Sequence, residues 1–453
     1  MAQLSGGVRQ VPTKQKSKIR KSKPNAKIFF SWILFWPAFA LAIKFLLVFN
    51  IPNHGWLGAD GESYIGGLNS LLTEGFFSKA STLIYWPAGY PLFMWPLAKI
   101  SLTSFTMLLG FFQSVVFAYS TFLFAKQLAS SKLRKYASIT SFLISFNPTL
   151  SLSSLVIGYE SIVASLLLLS VSIVMQAHIR RQKDPAWKEL VLLCAFLSLS
   201  IFMQPRTVIF AIAMILIYIL NLRKIKIQVI SLIVAISLTS TLPSILIFRN
   251  SVANDTWAIS TNLGTTMMVG AGDTATGGYG NSGGVPCEPS QKNSKVTDNE
   301  RVKCVLNWYL SNPSKSLKLA FNKSVYYWSP WSGPLTNGTM ARNPWSKINP
   351  IIGIAKNAEG NQLVYGAVGK VISWLWLIGG VGLIFLGTIY LWRLGGIERY
   401  LGYLVSTPTF FGWFISVGTI GDDRFRIPQM GLSIFLQVMG FLALSNMFKR
   451  SKL

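Results

Sequence analysis

Long apolar runs separated by short polar breaks make up most of this chain. A helix that spans a bilayer needs roughly 20 mostly apolar residues. Ten runs approach that length: 28–50, 103–127, 134–150, 155–178, 188–204, 206–222, 228–248, 367–393, 399–418 and 428–447. The fifth and sixth are short and meet at Pro205 and Arg206, either as a tight helical hairpin or as one broken pair. Two polar stretches, 51–102 and 249–369, interrupt the series. Within the first, Tyr64–Phe77 and Tyr85–Lys99 are amphipathic, which predicts helices lying in the interface instead of crossing it. The pattern predicts an all-α polytopic membrane protein of about ten transmembrane helices, with interfacial helices in the first outer loop. It divides into a basic tail (1–27) and one membrane domain (28–453) with outer loops 51–102 and 249–369.

Charge fixes the expected orientation. The 453 residues carry 42 Lys and Arg against 15 Asp and Glu, a net +27, yet only 13% are charged and 51% are hydrophobic. Soluble domains are about one-quarter charged, so a soluble nucleic-acid binder is excluded despite the basicity. The bilayer is instead the first partner. The tail 1–27, the short loops 130–135, 180–188, 223–226 and 393–399, and the C-terminal 449–452 are all basic. Ten crossings from a cytoplasmic N-terminus place every one of them in the cytoplasm, in accord with the positive-inside rule. Of the acids only Asp184, Glu189 and Glu398 fall on that side. The first apolar run is long enough to span, and no small-residue cleavage site follows it, so it reads as a span and not as a signal peptide. The expected location is a bacterial plasma membrane, with both termini cytoplasmic.

The outer side therefore gathers the candidate chemistry. Asp60, in Gly58-Ala59-Asp60-Gly61-Glu62, follows the first span. Two readings stand for it: a general base that takes a proton from an alcohol, or a cap for a helix starting near Glu62. Tyr85 opens the rigid segment Tyr85-Trp86-Pro87, either a sugar-stacking surface or part of an interfacial aromatic belt. Glu160 lies near the outer end of the fourth span, where an acid is costly and so a functional candidate. Arg206, Arg249, Arg424 and Arg426 break the positive-inside trend. Guanidinium groups bind phosphate bidentately; the competing reading is pairing of Arg424 with Asp422 or Asp423. Ser260–Gly264 and Thr274–Tyr279 are rich in Gly and Thr but lack the spacing of a nucleotide-binding loop. Asp60 with Glu62, or Asp422 with Asp423, offers two oxygens to a divalent metal, which is weak support for one. Two histidines exclude a His-based metal cluster. Cys287 and Cys304 share the long outer loop, consistent with a disulfide in an oxidising compartment.

Taken in order, these segments resemble the GT-C class of membrane glycosyltransferases, especially the bacterial branch related to protein O-mannosyltransferases and aminoarabinose lipid transferases. The matching residues are Gly58-Ala59-Asp60, Tyr85-Trp86-Pro87, Asn147-Pro148, Gly158-Tyr159-Glu160, Gln204-Pro205-Arg206, Phe248-Arg249-Asn250, Ser260–Gly264, Ala275–Tyr279, Asn312-Pro313, Lys323–Trp328 and Arg424–Pro428. The resemblance implies a sugar donor carried on polyprenyl phosphate and an active site at the outer face. It also implies Asp60 as catalytic acid-base residue and an acceptor that is protein, lipid or glycan. On that reading Arg206, Arg424 and Arg426 position the donor phosphate, with Glu160, Glu62 and Tyr85 near the sugar. The lipid-linked sugar is the donor substrate, no nucleotide-sugar site is needed, and a divalent metal stays open but unsupported. The alternative class is a transporter or lipid flippase; no pair of related halves supports it.

Overall fold

A computed structural model describes residues 26–53, 55–58, 60–179, 186–222, 224–278, 284–287, 296–328 and 367–450. The basic tail 1–25 and the loop segment 329–366 lie outside them, so the cytoplasmic-tail reading of 1–27 falls almost wholly outside the described residues.

Every predicted apolar run is mainly helical; the fourth, 155–178, opens with a two-residue strand before its helix. In chain order the helices are α1 (Ala26–Val48), α2 (Gly61–Glu74), α3 (Thr82–Tyr85), α4 (Gly89–Ile100), α5 (Phe105–Ala129), α6 (Ala137–Phe146) and α7 (Pro148–Leu152). They continue as α8 (Glu160–Ile179), α9 (Trp187–Met203), α10 (Val208–Leu220), α11 (Ile225–Asn254), α12 (Leu263–Val269), α13 (Asp298–Ser311) and α14 (Pro313–Trp328). The last three are α15 (Ala367–Leu394), α16 (Gly396–Gly418) and α17 (Ile427–Arg450). The protein has an all-α polytopic membrane fold. By length and composition five helical stretches suffice to cross a bilayer, and two shorter apolar ones, Trp32–Val48 and Pro205–Leu220, accompany them.

α8 is buried on all sides, from Glu160 through Met175, and forms the centre against which α5, α9 and α17 pack. A helix apolar all round belongs inside a bundle. α11, by contrast, exposes Val229, Ile233, Ile236 and Phe248, as expected of a helix facing lipid. The fifth and sixth runs are two helices, α9 and α10, joined by a single 3₁₀ turn, Pro205–Thr207. Proline ends α9 there because it offers no N–H and fixes φ.

The first polar loop folds into α2, α3 and α4, as its amphipathic stretches predict. The long loop supplies α12, α13 and α14. α11 outlasts its predicted run by nearly two turns, and that extension carries Arg249 and Asn250 into the interior. The Arg249 guanidinium is fully buried and donates to the carbonyls of Phe76 (3.0 Å), Leu83 (3.2 Å) and Ser78, and to the Asn250 amide oxygen (2.6 Å). It ties the long loop to the first one; it is no ligand site.

Candidate active site

Two strands of two residues each place the site. β1 (Trp56–Leu57) pairs in parallel with β2 (Val156–Ile157), in the register Trp56 to Val156 and Leu57 to Ile157. Gly58 N continues the ladder by donating to Ile157 O at 3.1 Å. Gly58 and Asp60 thus leave the bridge beside Gly158 and Glu160. A Cβ on Gly58 would sit 2.7 Å from Ile157 O, so the close approach needs glycine. The bridge is held from beneath by Gln113 of α5. Its amide nitrogen donates to Ser154 O (3.2 Å) and Val156 O (3.1 Å), while its oxygen accepts from Tyr90 (3.2 Å). The Tyr90 hydroxyl oxygen in turn accepts from Gly158 N at 3.0 Å.

Asp60 occupies the N-cap position of α2, but its side chain caps nothing. Its Oδ2 accepts instead from Arg424 Nη1 at 2.8 Å, and the Arg424 Nε lies 3.7 Å from Glu160 Oε1. Of the two readings for Asp60, the cap is therefore set aside by geometry. The Arg424 side chain also does not pair with Asp422 or Asp423; Asp422 Oδ1 accepts from the Arg424 backbone N (2.9 Å), capping the 3₁₀ turn Asp423–Arg426. Side-chain exposure is 13% for Asp60, 12% for Glu160 and 5% for Arg424. Partly dry ion pairs feel a lower dielectric than surface ones and are screened little by salt.

This pair lies on the wall of a cavity of about 1380 Å³ that also includes Tyr85, Trp86, Arg206 and Phe425. The Arg206 guanidinium stacks over the Phe425 ring at 4.0 Å, and that of Arg424 lies 5.0 Å from the same ring. Tyr64 is buried beside Asp60; burial first, then the Asp60 charge, holds its phenol well above the usual range and keeps it neutral. Opposite, the long loop closes the cavity with Ser260–Leu263 and the start of α13. Thr261 N donates to Ile84 O (3.0 Å), and Asp298 Oδ1 accepts from Gly264 N (2.7 Å). Thr297 and Glu300 form a reciprocal capping box on α13. Cys287 and Cys304 are disulfide-bonded, with Cα atoms 5.9 Å apart.

The structure thus brings together Asp60, Glu160, Arg206, Arg424 and Tyr85. Two predicted residues lie elsewhere. Glu62 is exposed on α2 and does not line the cavity, because two residues past Asp60 carry it to the outward side of the helix. Arg426 is two residues beyond Arg424 on the 3₁₀ turn and faces the other side of it. It opens onto an apolar groove of about 720 Å³ between α6, α15 and α17, with its guanidinium 5.9 Å from the Trp328 ring. Gln113 supports the site from beneath, and sequence reasoning passed it over. A glutamine inside an apolar run was the available signal for Gln113.

The two carboxylates that converge, Asp60 and Glu160, already share the Arg424 guanidinium. Among the described residues no three His, Cys, Asp or Glu side chains form a metal-holding group.

No family model matches the sequence, and no curated protein matches it. Among solved structures the chain is similar to an oligosaccharyltransferase from Archaeoglobus fulgidus in its apo form, with a TM-score of 0.48 and 13% identity, covering 93% of this chain and 51% of that one. The same protein in complex with an inhibitory peptide and a dolichol-phosphate gives a TM-score of 0.41 and 13% identity over 92% and 51%. Tethered to an acceptor peptide, it gives 0.41 and 12% over 92% and 50%. The chain spans about half the length of these solved structures.

Proposed function

We propose that the protein is an inverting glycosyltransferase that moves a sugar from a polyprenyl-phosphate donor to an acceptor hydroxyl at the outer face of the membrane. The observation that carries this reading is the Asp60 carboxylate on the cavity wall, released from helix capping and held by Arg424. Its Oδ2 is engaged, and its Oδ1 takes no hydrogen bond from the described residues. That second oxygen is the one available to a substrate.

In the proposed reaction the acceptor oxygen attacks the anomeric carbon and its proton passes to Asp60. The bond from that carbon to the phosphate oxygen breaks, and polyprenyl phosphate leaves with the electron pair. Arg424 keeps Asp60 and Glu160 in place and offsets part of their combined charge. Arg206, stacked on Phe425 at the cavity wall, and Arg426, at the head of the groove, flank the turn on which a phosphate would rest. Preorganised cations of this kind stabilise a departing anion without reorganising. Tyr85 and Trp86 offer ring faces to the sugar.

The groove supports the lipid part of the donor. Its lining on α17 runs from Met430 to Ser445 beyond Arg426 itself, roughly 28 Å along the helix from the arginine at 1.5 Å per residue. Phe142, Phe146, Ile434 and Phe441 face it. A long isoprenoid chain matches that length and character, with its phosphate against Arg426. The cytoplasmic placement of both termini and the plasma-membrane location belong to the same reading.

The test uses purified full-length protein in lipid nanodiscs with radiolabelled polyprenyl-phosphate sugars and an envelope extract as acceptor. Label passing onto a new molecule, and failing to pass in Asp60→Asn, is the expected result. Movement of intact labelled lipid across a vesicle membrane without transfer would instead assign the protein to lipid flipping.

A further inference from the structure

Carbonyls at a helix C-terminus lack partners within the helix. At the end of α16 they are supplied from the long loop. Lys323, fully buried on α14, donates from Nζ to Val417 O (3.1 Å), Thr419 O (2.8 Å) and the Tyr309 hydroxyl (2.7 Å). The Tyr309 hydroxyl reaches Gly418 O at 3.4 Å, and Ser416 Oγ donates to Ile420 O at 2.7 Å. The next residue, Gly421, donates its N–H to Gly277 O at 2.9 Å. A Cβ there would lie 2.6 Å from the Lys323 Cα, so the two backbones touch. Asn322, beside Lys323, donates to Thr276 O at 3.2 Å. Each carbonyl from Val417 to Ile420 thus accepts a hydrogen bond, and most of the donors come from α13 and α14.

Directly after this segment comes Asp422, the cap of the turn that carries Arg424. We propose that Lys323 is a positioning residue for Arg424: by fixing residues 417–421 it sets the guanidinium against Asp60 and Glu160. This rests on the function proposed above.

The chemistry of the slot favours this role over packing alone. Among the described residues no carboxylate pairs with Lys323, so its burial is costly. The negative end of the α16 dipole offsets only part of that cost, and burial pushes the ammonium down to about 7. A methionine would fill the same volume without a buried charge. What it would lack is three donors converging on three acceptors, which is what specifies the path of the chain from Val417 to Gly421.

The experiment compares Lys323→Met and the milder Tyr309→Phe, as full-length protein in nanodiscs. Transfer is normalised to folded protein, and hydrogen exchange is followed by mass spectrometry. In Lys323→Met we expect kcat to fall about 10- to 100-fold, the range produced by misplacing a reacting group by around an ångström. Donor KM should change by less than about threefold, and exchange should quicken in peptides covering 417–426 but not in α8. Tyr309→Phe should move the same readouts less far, and decides the matter if Lys323→Met does not fold. In an Arg424→Lys background, Lys323→Met should add little, because both act through one placement. Unchanged kcat in both variants, or effects that multiply fully in the Arg424→Lys background, would overturn the proposal. If the wild type transfers no sugar, the proposed function fails, while faster exchange at 417–426 still tells whether Lys323 orders the segment.

Discussion

Arg424 and Asp60, 364 positions apart in the chain, meet at 2.8 Å. The contact joins the loop after the first helix to the turn before the last one, and it draws Glu160 into the same cluster. Its consequences for catalysis and for stability can be separated by substitution.

Asp60→Asn keeps the shape of the side chain but cannot accept a proton. General-base catalysis is typically worth about 10² to 10⁴ in rate, so transfer should fall by that factor while donor binding persists. Filter binding of the labelled donor, beside a transfer assay, checks both halves. Full activity in the folded variant would remove Asp60 as the base.

Arg424→Ala leaves two nearly buried carboxylates without their shared cation. Breaking a buried pair by removing one partner costs about 3–5 kcal/mol, and the slight exposure of Asp60 and Glu160 puts the expected loss toward or below the lower figure. Arg424→Lys keeps the charge but loses the fork. Thermal unfolding in detergent should rank wild type above Lys above Ala. Equal melting of all three would mean that the pair contributes nothing to the fold.

Lys323 gives the fold a pH dependence of known sign. Its folded value, about 7, lies below the unfolded value of 10.5. Between those two, the unfolded chain binds the extra proton, so stability rises with pH across that window and is flat below it. Burial raises Tyr309, its hydrogen-bond partner, to about 12, which acts in the opposite direction only once the pH passes the ordinary tyrosine value. Melting temperatures from pH 6 to 10 should therefore climb for the wild type and climb less for Lys323→Met. A parallel climb in the two proteins would exclude Lys323 as the source.

The Cys287–Cys304 bond closes a loop with a sequence separation of 17. Loop-entropy reasoning gives such a crosslink about 3 kcal/mol. Peptide mapping under non-reducing conditions should recover the linked pair. Cys304→Ser should loosen α12 and α13, seen as faster hydrogen exchange there, and leave α17 unaffected. Two free thiols in protein purified from membranes would contradict the bond.

Much of the fold is legible in the sequence because helices announce themselves locally. The runs that became α5, α8 and α17 have the length and apolarity of spans, and the amphipathic stretches of the first loop became α2 and α4. Asp60, Glu160 and Arg424 stand out because charges are rare among such runs. Their meeting does not stand out. The bridge that joins them is two residues long on each side, too short for the alternation by which strands are recognised. Glu62 looks equivalent to Asp60 in the sequence, and only the start of α2 at Gly61 separates their directions. Lys323 opens one of the segments that carry the resemblance, but without any role of its own. Nothing near it in the chain signals that its two carbonyl acceptors lie more than ninety positions away.

The parallel bridge between Trp56–Leu57 and Val156–Ile157 also sets a rule for chain length. Side chains alternate sides along a strand and advance about 3.3 Å per residue. Adding or removing one residue between Leu57 and Asp60, or between Ile157 and Glu160, would carry that carboxylate past Arg424 or turn it away. The stretch from Ser101 to Ser104, which lies between the two strands but outside the bridge and is partly or fully exposed, bears no such constraint. Relatives of this chain should therefore tolerate insertions in the connection between α4 and α5 and almost none in the three residues that follow either strand.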